Sequence, residues 1–173
     1  MTFSFSSGGR LSPAGRAAYL GVTAAAAFGL SYLELLIPMP MIPGARLGLA
    51  NIAVLTAIYL GGPRDGVIIL ISRLLTAFLV FGSVTSLIYS LAGGCLSLAG
   101  MLIAMRTKRL SPIGVSIIGG ALHNTGQVIA AAVLMGRGAF GYYPMLLALG
   151  AFSGAVTGSM AAGVLRVLRG KKD

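Results

Sequence analysis

Long apolar runs separated by short, positively charged breaks restrict this chain to folds whose solvent is lipid. Thirteen Lys and Arg stand against three acids, Glu34, Asp65 and Asp173, and nearly all of them fall in the breaks. Hydrophobic residues make up 57% of the 173 positions and charged residues 9%; mean hydropathy is +0.94. Such a chain does not stay dispersed in water, so its function concerns something in or across a membrane.

A helix needs ~20 apolar residues to cross the hydrocarbon. Six segments come close: 16–37, 47–60, 65–80, 84–105, 113–135 and 142–168. The second and third are short for a perpendicular span, and are expected to lie shallow or beside loop packed in protein. The breaks carry turn residues: Pro38, Pro40, Pro43 and Gly44; Gly61, Gly62 and Pro63; Gly82 and Ser83; Ser111 and Pro112; Gly136, Gly138, Gly141 and Pro144. An even number of spans puts both termini on one side. With that side cytoplasmic, Arg10, Arg16, Arg64, Arg106, Lys108, Arg109, Arg166, Arg169, Lys171 and Lys172 lie inside. Only Arg46 and Arg137 lie outside, as the positive-inside bias requires. The expected fold is all-α: a polytopic bundle of six transmembrane helices. Residues 1–15 are expected to form a cytoplasmic tail, 16–168 the membrane domain and 169–173 a basic tail. The leading residues, rich in Ser and Gly, lack a cleavable signal pattern.

The net charge of +10 does not point to nucleic acid, because the basic residues punctuate apolar segments and build no basic face with aromatics. Cys95 is the only cysteine and reads as a packing residue. Small residues repeat every four positions in the first helix, at Ala17, Gly21, Ala25 and Gly29. Ala14 and Ala18 extend the stripe. It suits close helix approach, either within the bundle or against a partner subunit. Gly93, Gly94 and Gly100, and Gly150, Gly154, Gly158 and Gly163, are expected to make internal contacts.

Polar groups within a membrane mark functional sites by default. Arg46 is expected at the outer mouth, as a ligand contact or a headgroup anchor. Asn51 lies about one and a half turns deeper, on a helix whose start offers N–H donors to an anion. Its alternative role is an interhelical hydrogen bond. Arg73 is an isolated charge within its span; it binds a ligand anion or pairs with Glu34. His123 and Gln127 are four residues apart and share a helix face, with Asn124 beside them. That turn reads as a ligand-binding or purely structural polar network. His123 is no metal site, since no second His exists. Tyr89 and Ser90 are weaker candidates, and Tyr142 and Tyr143 fit an interfacial aromatic belt. His123 reads as a neutral hydrogen-bonding group or a proton acceptor; with Arg46, Arg73 and His123 as potential cations, the outward-facing pocket expected here suits an anionic or strongly polar small molecule. The sequence has no Walker A loop, HExxH, GxSxG or paired carboxylates, so no catalytic residues, metal or cofactor are expected.

The motifs Pro43-Gly44-Ala45-Arg46-Leu47-Gly48-Leu49-Ala50-Asn51, Ser86-Leu87-Ile88-Tyr89-Ser90-Leu91-Ala92-Gly93-Gly94 and His123-Asn124-Thr125-Gly126-Gln127 carry a resemblance. In that order they resemble the Gx transporter family, historically labelled heptaprenyl diphosphate synthase component I. The likeness runs from about Ala17 to Gly163. That family is similar to the S components of energy-coupling factor (ECF) transporters: six-helix, substrate-binding proteins of prokaryotic cell membranes. The resemblance implies a vitamin-like ligand, flavins among the candidates. It implies partners too, a transmembrane T subunit driven by two cytoplasmic ATPases, and a docking face at Ala14, Ala18, Gly21 and Ala25. The other expectation it raises is a membrane component of a prenyl diphosphate synthase. Prenyl elongation itself needs Asp-rich clusters that hold Mg²⁺ on diphosphate, and three scattered acids make none. A small stand-alone carrier is the remaining alternative.

Overall fold

The computed structural model describes residues 12–36, 48–81 and 83–170. Among them every regular element is helical: α1 Pro13–Leu35, α2 Asn51–Gly61, α3 Pro63–Phe81, α4 Val84–Arg106, α5 Pro112–Met135 and α6 Tyr143–Gly170. A 3-10 stretch, Arg137–Tyr142, leads into α6. Arg46 and the prolines before it lie outside the described residues.

Local sequence sets the boundaries. Ser12 and Ser111 each stand before a proline, and their hydroxyls accept the Gly15 and Gly114 backbone N–H groups. This is the serine cap followed by proline that starts helices well. It moves the start of α1 to Pro13, three residues before the first apolar run. Ser83 caps α4 in the same way through Ser86 N–H. Gly62 and Gly136 end α2 and α5 at φ 91° and 94°, a region that favours glycine. Gly48, at φ 85°, turns the chain so that α2 starts at Asn51, later than the apolar pattern suggests.

α2 is the central element. Its 11 residues span about 16 Å, half a membrane, and all ten from Asn51 to Leu60 are buried. A helix apolar on every side belongs inside a bundle. Here α1, α3, α4, α5 and α6 all pack on it. Ile52, Leu55 and Ile58 meet Leu70 and Leu74 of α3, Leu98 and Met101 of α4, and Leu165 of α6 in one core. A second cluster at the other end joins Tyr89 to Val128, Ala131 and Leu146.

α4, α5 and the run Arg137–Val167 are long and apolar enough to cross a membrane. α1 and α3 have 23 and 19 residues. They carry Arg16 and Glu34, and Arg64, Asp65 and Arg73. Val22, Leu79 and Val133 are 72%, 80% and 80% exposed, among many large apolar side chains on the outside. An outer surface of that kind belongs in lipid: this is a membrane protein.

α5 is held between α4 and α6 by glycine. A Cβ on Gly120 would lie 2.1 Å from the Gly150 carbonyl oxygen, and one on Gly154 2.5 Å from that of Ser116. Gly158 meets Ile113, Gly100 meets Leu122, and Gly126 meets Ala92. The backbones touch, which is how helices associate where lipid competes for apolar side chains. Two expectations are corrected. Among the described residues nothing lies within 4 Å of a Cβ on Gly163, so this glycine makes no close helix contact of that kind. Cys95 is exposed, because the inward face of α4 is taken by Gly93, Gly94, Ser97 and Leu98.

Candidate functional site

Inside this apolar bundle runs a polar seam built mainly on α5. Ser116, His123, Asn124 and Gln127 are all buried, with His123 and Asn124 each 1% exposed. Small residues make room for them. A Cβ on Gly93 would meet the His123 ring at 3.0 Å. One on Gly48 would lie 3.0 Å from Asn51 Nδ2 and 3.5 Å from His123 Cδ2. Thus Gly48 and Gly93 bring the start of α2 and the middle of α4 against one imidazole.

The first group in the seam joins α2, α4 and α5. Gln127 Nε2 lies 2.9 Å from His123 Nε2. In this amide orientation Gln127 Nε2 is the donor and His123 Nε2 the acceptor. Asn51 Nδ2 donates to Ser97 Oγ at 3.4 Å. The interhelical hydrogen bond raised for Asn51 from sequence is present, and the residue also sits beside His123.

The second group links α5 to α6. Asn124 Nδ2 donates to the Leu146 carbonyl at 2.6 Å. A carbonyl only accepts, which fixes the orientation of this amide. Asn124 Oδ1 is buried and has no hydrogen-bond partner among the described residues. One orphaned acceptor of this kind costs about 1–3 kcal/mol. Toward the other end of α5, Ser116 Oγ and Thr157 Oγ1 lie 3.0 Å apart.

The remaining candidates sit elsewhere. Arg73 is buried on α3, a helix that packs on α1, α2 and α4 but not on α5. Tyr89 is fully buried, and its hydroxyl points to Met135 Sδ at 3.6 Å. Tyr142 is 47% exposed, as a belt residue would be. Tyr143 turns inward, its hydroxyl 3.4 Å from Thr125 Oγ1. Ala14, Ala18, Gly21 and Ala25 all lie on an exposed face of α1. Among the described residues nothing comes within 4 Å of a Cβ on Gly21 or Gly29.

Two interactions escaped the sequence reading. The Glu34 carboxylate accepts the Leu49 N–H, so the anion at the start of α2 is the chain's own. Arg16 and Asp65 form an ion pair at 2.7 Å, joining the beginnings of α1 and α3. Spacings of 15 and 49 residues follow no local pattern. Among the described residues no three His, Cys, Asp or Glu side chains come together to hold a metal.

No curated protein and no solved structure matches the chain. A family model described as heptaprenyl diphosphate synthase component I matches residues 23–164, a stretch that includes α2 to α5 and the whole polar seam. The chain belongs to the heptaprenyl diphosphate synthase component I family of membrane proteins.

Proposed function

We propose that this protein is a non-catalytic, substrate-binding membrane subunit of an ATP-driven transporter of the ECF type. It sits in a prokaryotic cell membrane as a six-span, multi-pass bundle with cytoplasmic termini. The reading rests on the buried turn His123–Gln127. Three hydrogen-bonding side chains on one turn of a membrane helix, with Asn124 Oδ1 left unsatisfied, suit a ligand better than packing alone. Asn51, beside His123, belongs to the proposed site for a small polar or anionic molecule, and Arg46, outside the described residues, is proposed from the sequence as a further contact.

The α1 face supports a docking role. Ala14, Ala18, Gly21 and Ala25 offer a smooth, exposed surface to a T subunit, and the ATPases act through that subunit, since this chain has no nucleotide-binding loop. The Arg16–Asp65 pair supports the topology, because it brings the starts of α1 and α3 to one end of the bundle.

The family description favours a second reading, a membrane component of a heptaprenyl diphosphate synthase. The two separate cleanly. Adding the chain to a soluble prenyl transferase restores chain elongation only under the second. Co-purification with a T subunit, and loss of bound small molecule in Asn124→Ala, follow only from the first. Unchanged ligand retention in both Arg46→Ala and Asn124→Ala would refute the proposed site.

A further inference from the structure

Hydroxyl groups in this bundle have a habitual partner. Ser31, Thr56, Thr76, Thr125 and Ser159 each donate to the carbonyl four residues back, at 2.6 to 3.0 Å. This is the usual way for Ser and Thr to be satisfied within a membrane helix. Ser90 on α4 does not do so. The residue is 4% exposed, and its buried Oγ has no hydrogen-bond partner among the described residues.

Ser90 also lines a cleft between the ends of α3 and α4. The walls are Leu74, Ala77 and Phe78 on one side and Ser83, Ser86, Leu87 and Ser90 on the other. Its volume, about 10 Å³, suffices for roughly one water. The three serines occupy one helical face at spacings of three and four. Their burial deepens in order: Ser83 is exposed, Ser86 half-buried and Ser90 buried. Continuing along that face, Gly93 lies against the His123 ring, and Ser97 accepts from Asn51. The line of small and hydroxyl-bearing residues thus runs from the surface at the start of α4 to the polar seam.

The geometry points to the α3–α4 seam as the access route by which a small polar molecule reaches His123 and Asn51. Ser83, Ser86 and Ser90 supply successive hydrogen-bonding stations, and Leu74, Phe78 and Leu87 close the route in this conformation. Among the described residues no charged side chain lines the cleft. It therefore offers hydrogen bonds without a charge that would trap an ion, and suits compact neutral polar groups best. This inference rests on the seam being a ligand site, but its test does not.

The test uses Cys95→Ala protein carrying one new cysteine, reconstituted in liposomes and exposed to a small, membrane-impermeant methanethiosulfonate. Only a hydrated thiol ionises and reacts. Ser83→Cys, Ser86→Cys and Ser90→Cys are compared with Ile88→Cys, which lies at the same depth but is 38% exposed on the outer side of α4. The route predicts that Ser90→Cys labels at least about tenfold faster than Ile88→Cys, because water reaches the first and lipid covers the second. Labelling of Ser83→Cys with both Ser90→Cys and Ile88→Cys inert would show that the cleft is a closed dent and overturn the route. Equal rates at positions 88 and 90 would overturn it too. If Ser90→Cys labels while Asn124→Ala still retains its ligand, the route stands and the proposed binding site fails.

Discussion

Gly93 and His123 touch without room for a single added carbon. A Cβ at position 93 would lie 2.8 Å from the His123 carbonyl oxygen and 3.0 Å from its ring Nδ1. The imidazole is placed by the absence of a side chain on α4 as much as by its own helix. Gly93→Ala is therefore expected to push α4 from α5 and break the His123–Gln127 hydrogen bond. The cost should be about 1–3 kcal/mol, typical of overpacking. Thermal unfolding in lipid nanodiscs reads the loss of stability, and ligand retention should fall with it.

Gly21 stands at the opposite extreme. Among the described residues nothing approaches within 4 Å of a Cβ there. Gly21→Leu should leave the isolated chain within ~0.5 kcal/mol of its original stability, as surface substitutions usually do. If the α1 face docks a T subunit, the same change should abolish co-purification with that subunit. Loss of stability without loss of association would show that the face packs within the chain.

Asp65 is buried and Arg16 is half in solvent, with side-chain exposures of 4% and 55%. Arg16→Ala leaves a buried carboxylate without its cation. The expected cost is about 1–2 kcal/mol, below the ~3–5 kcal/mol of a fully buried pair because solvent screens Arg16. Asp65 also lies over Gly61, where a Cβ would come 1.7 Å from Asp65 Oδ2. Gly61→Ala should therefore destabilise by a similar amount, and less than additively when combined with Arg16→Ala, because both act through the same carboxylate. Unfolding midpoints of the two single variants and the double variant check this.

Glu34 is expected to fix the start of α2. Glu34→Gln keeps the shape but removes the charge at the helix N-terminus. It should cost about 0.5–2 kcal/mol, and Glu34→Ala more, since the Leu49 N–H then lacks this carboxylate. Hydrogen exchange at Leu49 should speed up in the order native, Gln, Ala.

The helices were legible in the sequence because their ends are written locally. Ser-Pro at 12–13 and 111–112, and glycines at 62 and 136, act within a few residues of themselves. The polar turn on α5 was legible for the same reason, since residues 123 and 127 share a face whatever surrounds them. What the turn meets was not. The approach of Asn51 to His123 depends on the left-handed backbone at Gly48 and on α4 coming close at Gly93, both tertiary facts. Arg73 illustrates the converse. An isolated cation in an apolar run advertises itself, yet the neighbours of its helix, α1, α2 and α4, are set by tertiary packing. Small-residue stripes were equally ambiguous: Gly150 and Gly154 bury their faces against α5, while Gly21 leaves its own bare. Spacing alone cannot tell these apart, because the partner backbone decides.

The account depends most on Asn124, whose amide is tied to Leu146 through nitrogen while its oxygen stays buried and unsatisfied. Native mass spectrometry of the chain released gently from membranes tests it directly. The native protein should carry one small polar molecule at close to one per chain, and Asn124→Ala, folded in the same lipid, should carry none. Lipid alone on the native protein, or the same molecule held undiminished by the variant, would contradict the account.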